Sequence, residues 1–188
     1  MESYISFRYK NHPELYFQKS PYFSHKYNRF DEISRTGSQK VLWTVLNNLS
    51  RDWYWFLCNE FGLKGYKLDV GFLAETSDRR LGEHCISAWG KFPDYKISRH
   101  KIRYNLAYCR VNPSIMFFET IPHEVCHAIT QEMYLNEIES LGHGIKWQEI
   151  MEFIGLEPHE FSKVDEKSQE LAHNYYEILH DDLVLKTN

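Results

Sequence analysis

The chain is 188 residues long, which is the size of one ordinary domain and too short for two full hydrophobic cores. Hydrophobic residues make up 43% and charged residues 26%, which excludes a disordered chain. No stretch approaches the ~18 uncharged apolar residues of a membrane span, and the N-terminal MESYISFRYK lacks the apolar segment of a signal peptide. The four cysteines are scattered without a C-x-x-C pair, which suits a reducing compartment. We therefore expect a cytoplasmic, intracellular protein without a membrane partner.

Charge is distributed unevenly along the chain, although the net charge is only -4. Residues 1–112 carry a net charge of +7, and residues 113–188 carry a net charge of -11. The first 30 residues also contain nine Tyr or Phe side chains among basic ones. Aromatic rings beside cations can hold single-stranded nucleic acid, whereas rings without regular spacing more often pack onto a core. The pattern leaves both interpretations of this segment open.

Residues 1–35 show no clean periodicity, and the first clear element follows them. Apolar residues recur at three and four positions from Ser38 to Phe61, which predicts an amphipathic helix that Gly62 ends. Three short β-like runs come next, at Tyr66–Leu73, His84–Trp89 and Lys101–Tyr108. Further helices are predicted around Ile121–Leu135, from Gly144 to Ile154, and near Leu171 and Tyr175. A helix, then a sheet, then several helices indicate the α+β class.

The most informative motif is an H-E-x-x-H sequence formed by His123, Glu124 and His127. On a helix, residues four apart lie one turn apart on the same face, so both imidazoles can reach one cation. Glu124 lies about 100° around the helix from His123, where a carboxylate can accept the proton of a water that the cation activates. Pro122 is tolerated only in a first turn or at a kink, so the helix either begins at Thr120 or bends before the motif.

The third ligand follows from spacing and surroundings. His143 lies sixteen residues after His127 between two glycines, which let the backbone and the imidazole come close to a metal. Glu137 and Glu139 are alternatives, although they leave little chain to finish the helix and return, and Glu149 lies inside the following helix, where a solvated charge is the simpler interpretation. Three protein ligands and one open position are typical of a catalytic zinc site. The other histidines are interpreted as isolated polar groups: His12, His25, His84, His100, His159, His173 and His180.

These residues also carry a resemblance to a known family. The sequence HEVCHAI, a spacer, and then HGIKWQEIMEFIG resemble the SprT-like (Spartan-type) zinc metalloprotease domain, and the upstream IRYNL of residues 102–106 resembles its I-x-L-N strand. The resemblance covers about residues 38–158. It implies that His123, His127 and His143 bind one Zn²⁺ and that Glu124 is the catalytic general base. Cellular members of the family cleave proteins that are crosslinked to DNA.

We therefore predict an α+β, zincin-like fold in which an N-terminal helix packs on a small mixed sheet and the active-site helix is followed by a further helix. Residues 1–35 are expected to pack on the core as an aromatic, basic extension. Residues 36–158 are expected to form the SprT-like catalytic domain, and residues 159–188 an acidic helical tail, all in one globular unit. The expected protein is a monomer.

The expected activity is zinc-dependent hydrolysis of peptide bonds in DNA-associated or DNA-crosslinked proteins. The alternatives are a non-catalytic DNA- or protein-binding module on the same scaffold, or a zinc hydrolase of a non-peptide substrate. Tyr104, Tyr108 and Tyr134 are candidate oxyanion donors, and Lys101–Leu106 is a candidate edge strand for an extended peptide. Contacts to single- or double-stranded DNA are assigned to basic residues: Arg8, Lys10, Lys19, Lys26, Arg29, Arg99, Lys101 and Arg103.

Overall fold

The computed structural model describes residues 21–73, 80–90, 94, 96–135, 137, 142–159 and 164–175. Among the described residues, the helices of at least six residues are α1 (Pro21–Thr36), α2 (Gln39–Phe61), α3 (Leu106–Val111), α4 (Ile121–Tyr134), α5 (Ile145–Phe153) and α6 (residues 166–175). The strands are β1 (Lys67–Phe72), β2 (Gly82–Trp89) and β3 (Lys96–Tyr104). In the described part of the chain, no helix combines the length and the apolar character that crossing a membrane requires.

Helix α2 lies where the sequence predicts it, because its capping residues and its apolar periodicity indicate the same segment. The Ser38 hydroxyl accepts a hydrogen bond from the Val41 N–H at 3.4 Å, and Gly62 ends the helix in the left-handed region at φ 66°. The buried face follows the apolar periodicity of the sequence: Leu42, Leu46, Leu49, Trp53 and Leu57. This stripe packs toward the sheet and α4, so α2 is the long support on which the core is built.

The three strands form a mixed sheet in the order β1-β3-β2. Strand β3 pairs in parallel with β1 and antiparallel with β2, so it is the central strand. The prediction that Lys101–Leu106 forms an edge strand is therefore wrong. The predicted run Lys101–Tyr108 is also displaced along the chain, because the strand spans Lys96–Tyr104 and the Asn105 side chain accepts a hydrogen bond from the Tyr108 N–H at 3.3 Å and begins α3.

Side chains of β3 alternate between two different environments, as the period of a strand requires. His100, Ile102 and Tyr104 are buried on the inner face, which α2 and α4 cover. Arg99, Lys101 and Arg103 point to the opposite, outer face. The inner face therefore meets the active-site helix, and the outer face carries charge.

Helix α1 lies in the part of the chain without a clean period. Phe30 is fully buried, and its ring lies 5.6 Å from that of Phe117. The Arg110 guanidinium donates hydrogen bonds to the carbonyls of Ile33 and Ser34, at 3.3 and 2.7 Å. A few long-range contacts, rather than a regular apolar stripe, hold α1 on the core, and these contacts are not visible in the local sequence.

Helix α4 begins at Ile121 with Thr120 at the N-cap position, which is the first of the two possibilities that Pro122 left open. Thr120 has helical angles of φ -68° and ψ -45°, and it makes no capping hydrogen bond to the helix. A single π-helical turn, Met116–Thr120, leads directly into α4, and the Thr120 hydroxyl donates to the Ile115 carbonyl at 3.3 Å. Proline lacks an N–H, and its position in the first turn of α4 avoids the loss of an interior hydrogen bond.

Candidate metal centre

Three imidazoles converge at the side of α4. His123 and His127 lie one turn apart on this helix, and His143 lies in the loop that precedes α5. The three Nε2 atoms form a nearly equilateral triangle, with separations of 3.2 Å for His123 and His127, 3.2 Å for His127 and His143, and 3.1 Å for His123 and His143. Within the described residues, this is the group of His, Cys, Asp or Glu side chains that could hold a metal ion.

The triangle fits a zinc ion. Tetrahedral zinc with Zn–N bonds of about 2.0–2.1 Å holds its ligand nitrogens about 3.3–3.4 Å apart, close to the separations between these Nε2 atoms. Neutral imidazoles accept a metal through the lone pair of the unprotonated nitrogen. Three such lone pairs facing one another repel, and a cation between them removes that repulsion. The donor set therefore matches a three-histidine zinc site with one position open.

Trp147 supports all three ligands from one side. Its side chain is fully buried, and its ring lies 4.7 Å from that of His123, 5.2 Å from that of His127 and 4.6 Å from that of His143. The indole N–H donates a hydrogen bond to the His123 carbonyl at 3.4 Å. Gly142 at φ 61° turns the chain in front of His143. The rigid indole thus fixes the loop histidine against the two helical ones.

Burial prepares the helical ligands for a metal. It lowers the pKa of His123 to about 3 and that of His127 to about 2, and the neighbouring histidines add to the effect. Both rings are therefore neutral at pH 7, which is the form that binds a metal ion.

Glu124 is held beside the ligands by close packing. Its side chain is buried, and burial raises its pKa to about 8, with a further increase from Glu83 and an opposing effect from Arg80. A cation at the histidines would favour the charged form again. Gly82 on β2 leaves room for this carboxyl, because a Cβ there would lie 2.8 Å from Glu124 Oε1 and 2.9 Å from its Cγ.

The other sequence-predicted site residues fall into several places. Glu137 is exposed and lies outside the histidine group, and Glu139 lies outside the described residues.

Of the three candidate oxyanion donors, Tyr104 does not suit the role, because its buried hydroxyl lies 2.8 Å from Ser50 Oγ, which itself donates to the Leu46 carbonyl. Tyr108 is buried on α3, whereas Tyr134 is half-buried at the end of α4, with Lys146 Nζ 5.0 Å from the centre of its ring.

The basic residues assigned to DNA do not form one cluster. Arg8, Lys10 and Lys19 lie outside the described residues. Lys26 on α1 forms an ion pair with Asp52, and Arg29 is exposed on the same helix. Arg99, Lys101 and Arg103 lie together on the outer face of the sheet, where Arg99 pairs with Asp69 at 3.2 Å and Arg103 with Glu83 at 2.8 Å.

Sequence reasoning missed a polar network behind the centre. His84 and His100 were interpreted as isolated, yet His84 Nε2 lies 3.0 Å from His100 Nδ1, and His100 Nε2 lies 3.2 Å from Glu132 Oε1. The His84 ring is parallel to that of His127, with their centres 6.3 Å apart. One sequence signal for this network was available. Glu132 lies three residues after Ile129 and four after Ala128, so it shares a helix face with these apolar residues and with Val125. No local pattern indicated that β2 pairs with β3, which brings the two histidines together.

One of the comparisons with known proteins gives a match over the segment that contains this centre. The model of the SprT-like family matches residues 66–167, which include all three strands, the H-E-x-x-H helix and the loop histidine. No curated protein and no solved structure matches the chain. The matched segment covers more than half of the 188 residues. The chain therefore belongs to the SprT-like family, a zinc-associated family of metallopeptidase-like proteins.

Proposed function

We propose that the protein is a zinc-dependent peptidase that cleaves proteins associated with or crosslinked to DNA. The observation that carries the proposal is the triangle of Nε2 atoms from His123, His127 and His143, with the buried carboxyl of Glu124 on the adjacent face of the same helix. This combination supplies a metal site and a base within one helical turn. A binding module that only uses the scaffold would not require Glu124.

The three histidines and Glu124 have different roles in the proposed reaction. The three histidines would hold the zinc ion, which when bound polarises the scissile carbonyl and lowers the pKa of a water molecule to about 7. Glu124 accepts the proton of the attacking water and later donates it to the leaving amine. Its buried position excludes bulk water, so the proton stays at the reacting groups. Gly82 keeps the carboxyl free to reach them.

Strand β2 is positioned to bind an extended peptide. Among the described strands, it has a side that no other strand pairs with. It also packs against α4, where Gly82 meets Glu124 and the His84 ring faces that of His127. A peptide that adds to this edge would form main-chain hydrogen bonds and run past the centre.

The outer face of the sheet supports the DNA part of the proposal. Its cations are Lys67, Arg99, Lys101 and Arg103, and its acidic groups are Asp69 and Glu83. Cations on alternate residues of one strand can follow a phosphate backbone. Positive charge therefore remains on this face after the ion pairs are formed.

The test is a protease assay on zinc-loaded protein with an unfolded substrate, with and without single-stranded DNA. We expect cleavage by the wild type and a cleavage rate at least about 100-fold lower in Glu124→Gln, which keeps the metal but lacks a base.

Single-stranded DNA should increase the cleavage rate of the wild type. Lys101→Glu should weaken DNA binding and reduce the log–log salt slope by about 0.7. An inactive wild type with bound zinc would instead favour the non-catalytic module.

A further inference from the structure

A chain of buried polar groups runs from α2 to the metal centre. The Tyr66 N–H donates to the Tyr54 hydroxyl at 2.6 Å, and this hydroxyl donates to Glu132 Oε1. The same carboxylate oxygen lies 3.2 Å from His100 Nε2, and His100 Nδ1 lies 3.0 Å from His84 Nε2. The His100 ring is fully buried, and the Glu132 side chain is 3% exposed. These contacts join two strands and two helices into one unit.

The donors in this chain have a fixed direction. A carboxylate only accepts hydrogen bonds, so Glu132 takes them from both Tyr54 and His100 Nε2. Burial and the bond to Glu132 raise the pKa of Tyr54, which keeps its hydroxyl a donor. With one proton on each ring, His100 Nδ1 must then accept, and His84 Nε2 must donate. The second nitrogen of His84, Nδ1, is left with a lone pair.

His84 stands where a bound peptide would lie. It belongs to β2, the strand with an unpaired side among the described strands, and its ring is parallel to that of the ligand His127. His84 is a partly exposed residue. In the described part of the chain, its hydrogen bond is the one to His100, which leaves Nδ1 able to accept another.

We propose that His84 is a substrate-binding residue whose Nδ1 accepts a hydrogen bond from a backbone N–H of the bound peptide, and that His100, Glu132 and Tyr54 are positioning residues that fix its tautomer. This inference rests on the proposed peptidase function and names one specificity element within it. A peptide that presents an N–H at this point is favoured. A peptide with proline or a methylated nitrogen there is disfavoured.

The tautomer is measured directly by nitrogen NMR of the histidine rings at pH 8, in metal-free and in zinc-loaded full-length protein. We expect His84 and His100 to carry their protons on Nε2. In Glu132→Gln the ordering carboxylate is lost, and we expect His84 to lose its single tautomer. The matched control is Glu157→Gln, because Glu157 is 79% exposed and lies outside the network. A proton on His84 Nδ1 in the wild type overturns the proposal.

Peptide binding tests the second part without catalysis. Glu124→Gln in its zinc-loaded form is the parent, and fluorescently labelled unfolded casein is the probe. Adding His84→Gln keeps a donor for His100 but removes the acceptor at the Nδ1 position, so we expect affinity about 3- to 10-fold weaker, as for one hydrogen bond. His84→Asn places an amide oxygen near that position and should restore binding. Glu132→Gln should weaken binding similarly and add little to His84→Gln.

The N–H donor is located with a casein peptide that the parent binds, methylated at one backbone nitrogen at a time. One methylation should weaken binding to the parent and have no further effect on the His84→Gln variant. If His84→Gln binds casein as tightly as the parent, the role of His84 is wrong while the proposed function stands. If the parent binds no casein and the wild type cleaves none, the proposed function fails, and the substrate role of His84 fails with it.

Discussion

The two faces of β3 hold polar side chains in opposite environments, one buried and one exposed. On the inner face, His100 and Tyr104 are fully buried polar side chains, and each has a specific hydrogen-bond partner. On the outer face, the side chains of Arg99 and Arg103 are 45% and 43% exposed and pair with acids on neighbouring strands. Buried polar groups require exact partners, whereas exposed charges tolerate many arrangements. The groups proposed for chemistry therefore lie on the inner side, and those proposed for a DNA contact lie on the outer side.

The largest expected effect comes from a buried ring on the inner side. Trp147→Ala removes the ring that contacts all three histidines, and we expect a loss of about 3–5 kcal/mol in the free energy of unfolding, together with weaker zinc binding. Urea denaturation and metal content measure the two effects. The control is Trp89→Ala, because Trp89 is 62% exposed. Equal losses in both variants would contradict the supporting role of Trp147.

Acid should destabilise the metal-free protein next most strongly. Burial lowers the pKa values of His84 and His123 to about 3 and that of His127 to about 2, below the ordinary value of 6.5. Below pH 6.5 the unfolded chain binds protons that the folded chain does not, so stability is full above pH 6.5 and is lost as the pH falls. Each group contributes about 1.4 kcal/mol per pH unit. Urea denaturation of the metal-free protein at pH 7 and pH 5.5 measures the loss. Equal stability at both pH values would refute this explanation.

A smaller effect is expected where β2 meets Glu124. Gly82→Ala places a Cβ against the carboxyl and should displace it, which we expect to lower kcat about 10- to 100-fold while zinc stays bound. Gly71→Ala on β1 is the matched control, because a Cβ there meets nothing within 4 Å. Steady-state kinetics of both variants separate the outcomes. Unchanged kcat in Gly82→Ala would contradict the positioning of Glu124 by Gly82.

The smallest effect on stability is expected on the outer face. Lys101→Glu should change the free energy of unfolding by no more than about 0.5 kcal/mol, as surface substitutions do. Its neighbour on the inner face, Ile102, is fully buried, and Ile102→Ala should cost about 2–5 kcal/mol. Urea denaturation of the pair tests whether the two faces differ as described. A large loss in the free energy of unfolding of Lys101→Glu would contradict the difference between the two faces.

Local patterns in the sequence predicted the parts of the fold that depend on local chemistry. The helix from Ser38 to Phe61 follows from its apolar period, its cap and Gly62, and the H-E-x-x-H motif places His123 and His127 on one face. The central position of β3 could not be predicted, because strand order is set by long-range pairing. The link between His84 and His100 depends on that pairing and was missed for the same reason.

His143 is the ligand that comes from a loop and not from α4, so its replacement provides the most direct test of the metal centre. Zinc content of the purified full-length protein is measured by elemental analysis in the wild type, in His143→Ala and in His159→Ala. The control residue, His159, has a side chain that is 49% exposed and lies outside the histidine triangle. We predict one zinc ion per chain in the wild type and in His159→Ala, and loss of most of the zinc in His143→Ala. Full zinc content in His143→Ala, or none in the wild type, would contradict the three-histidine centre.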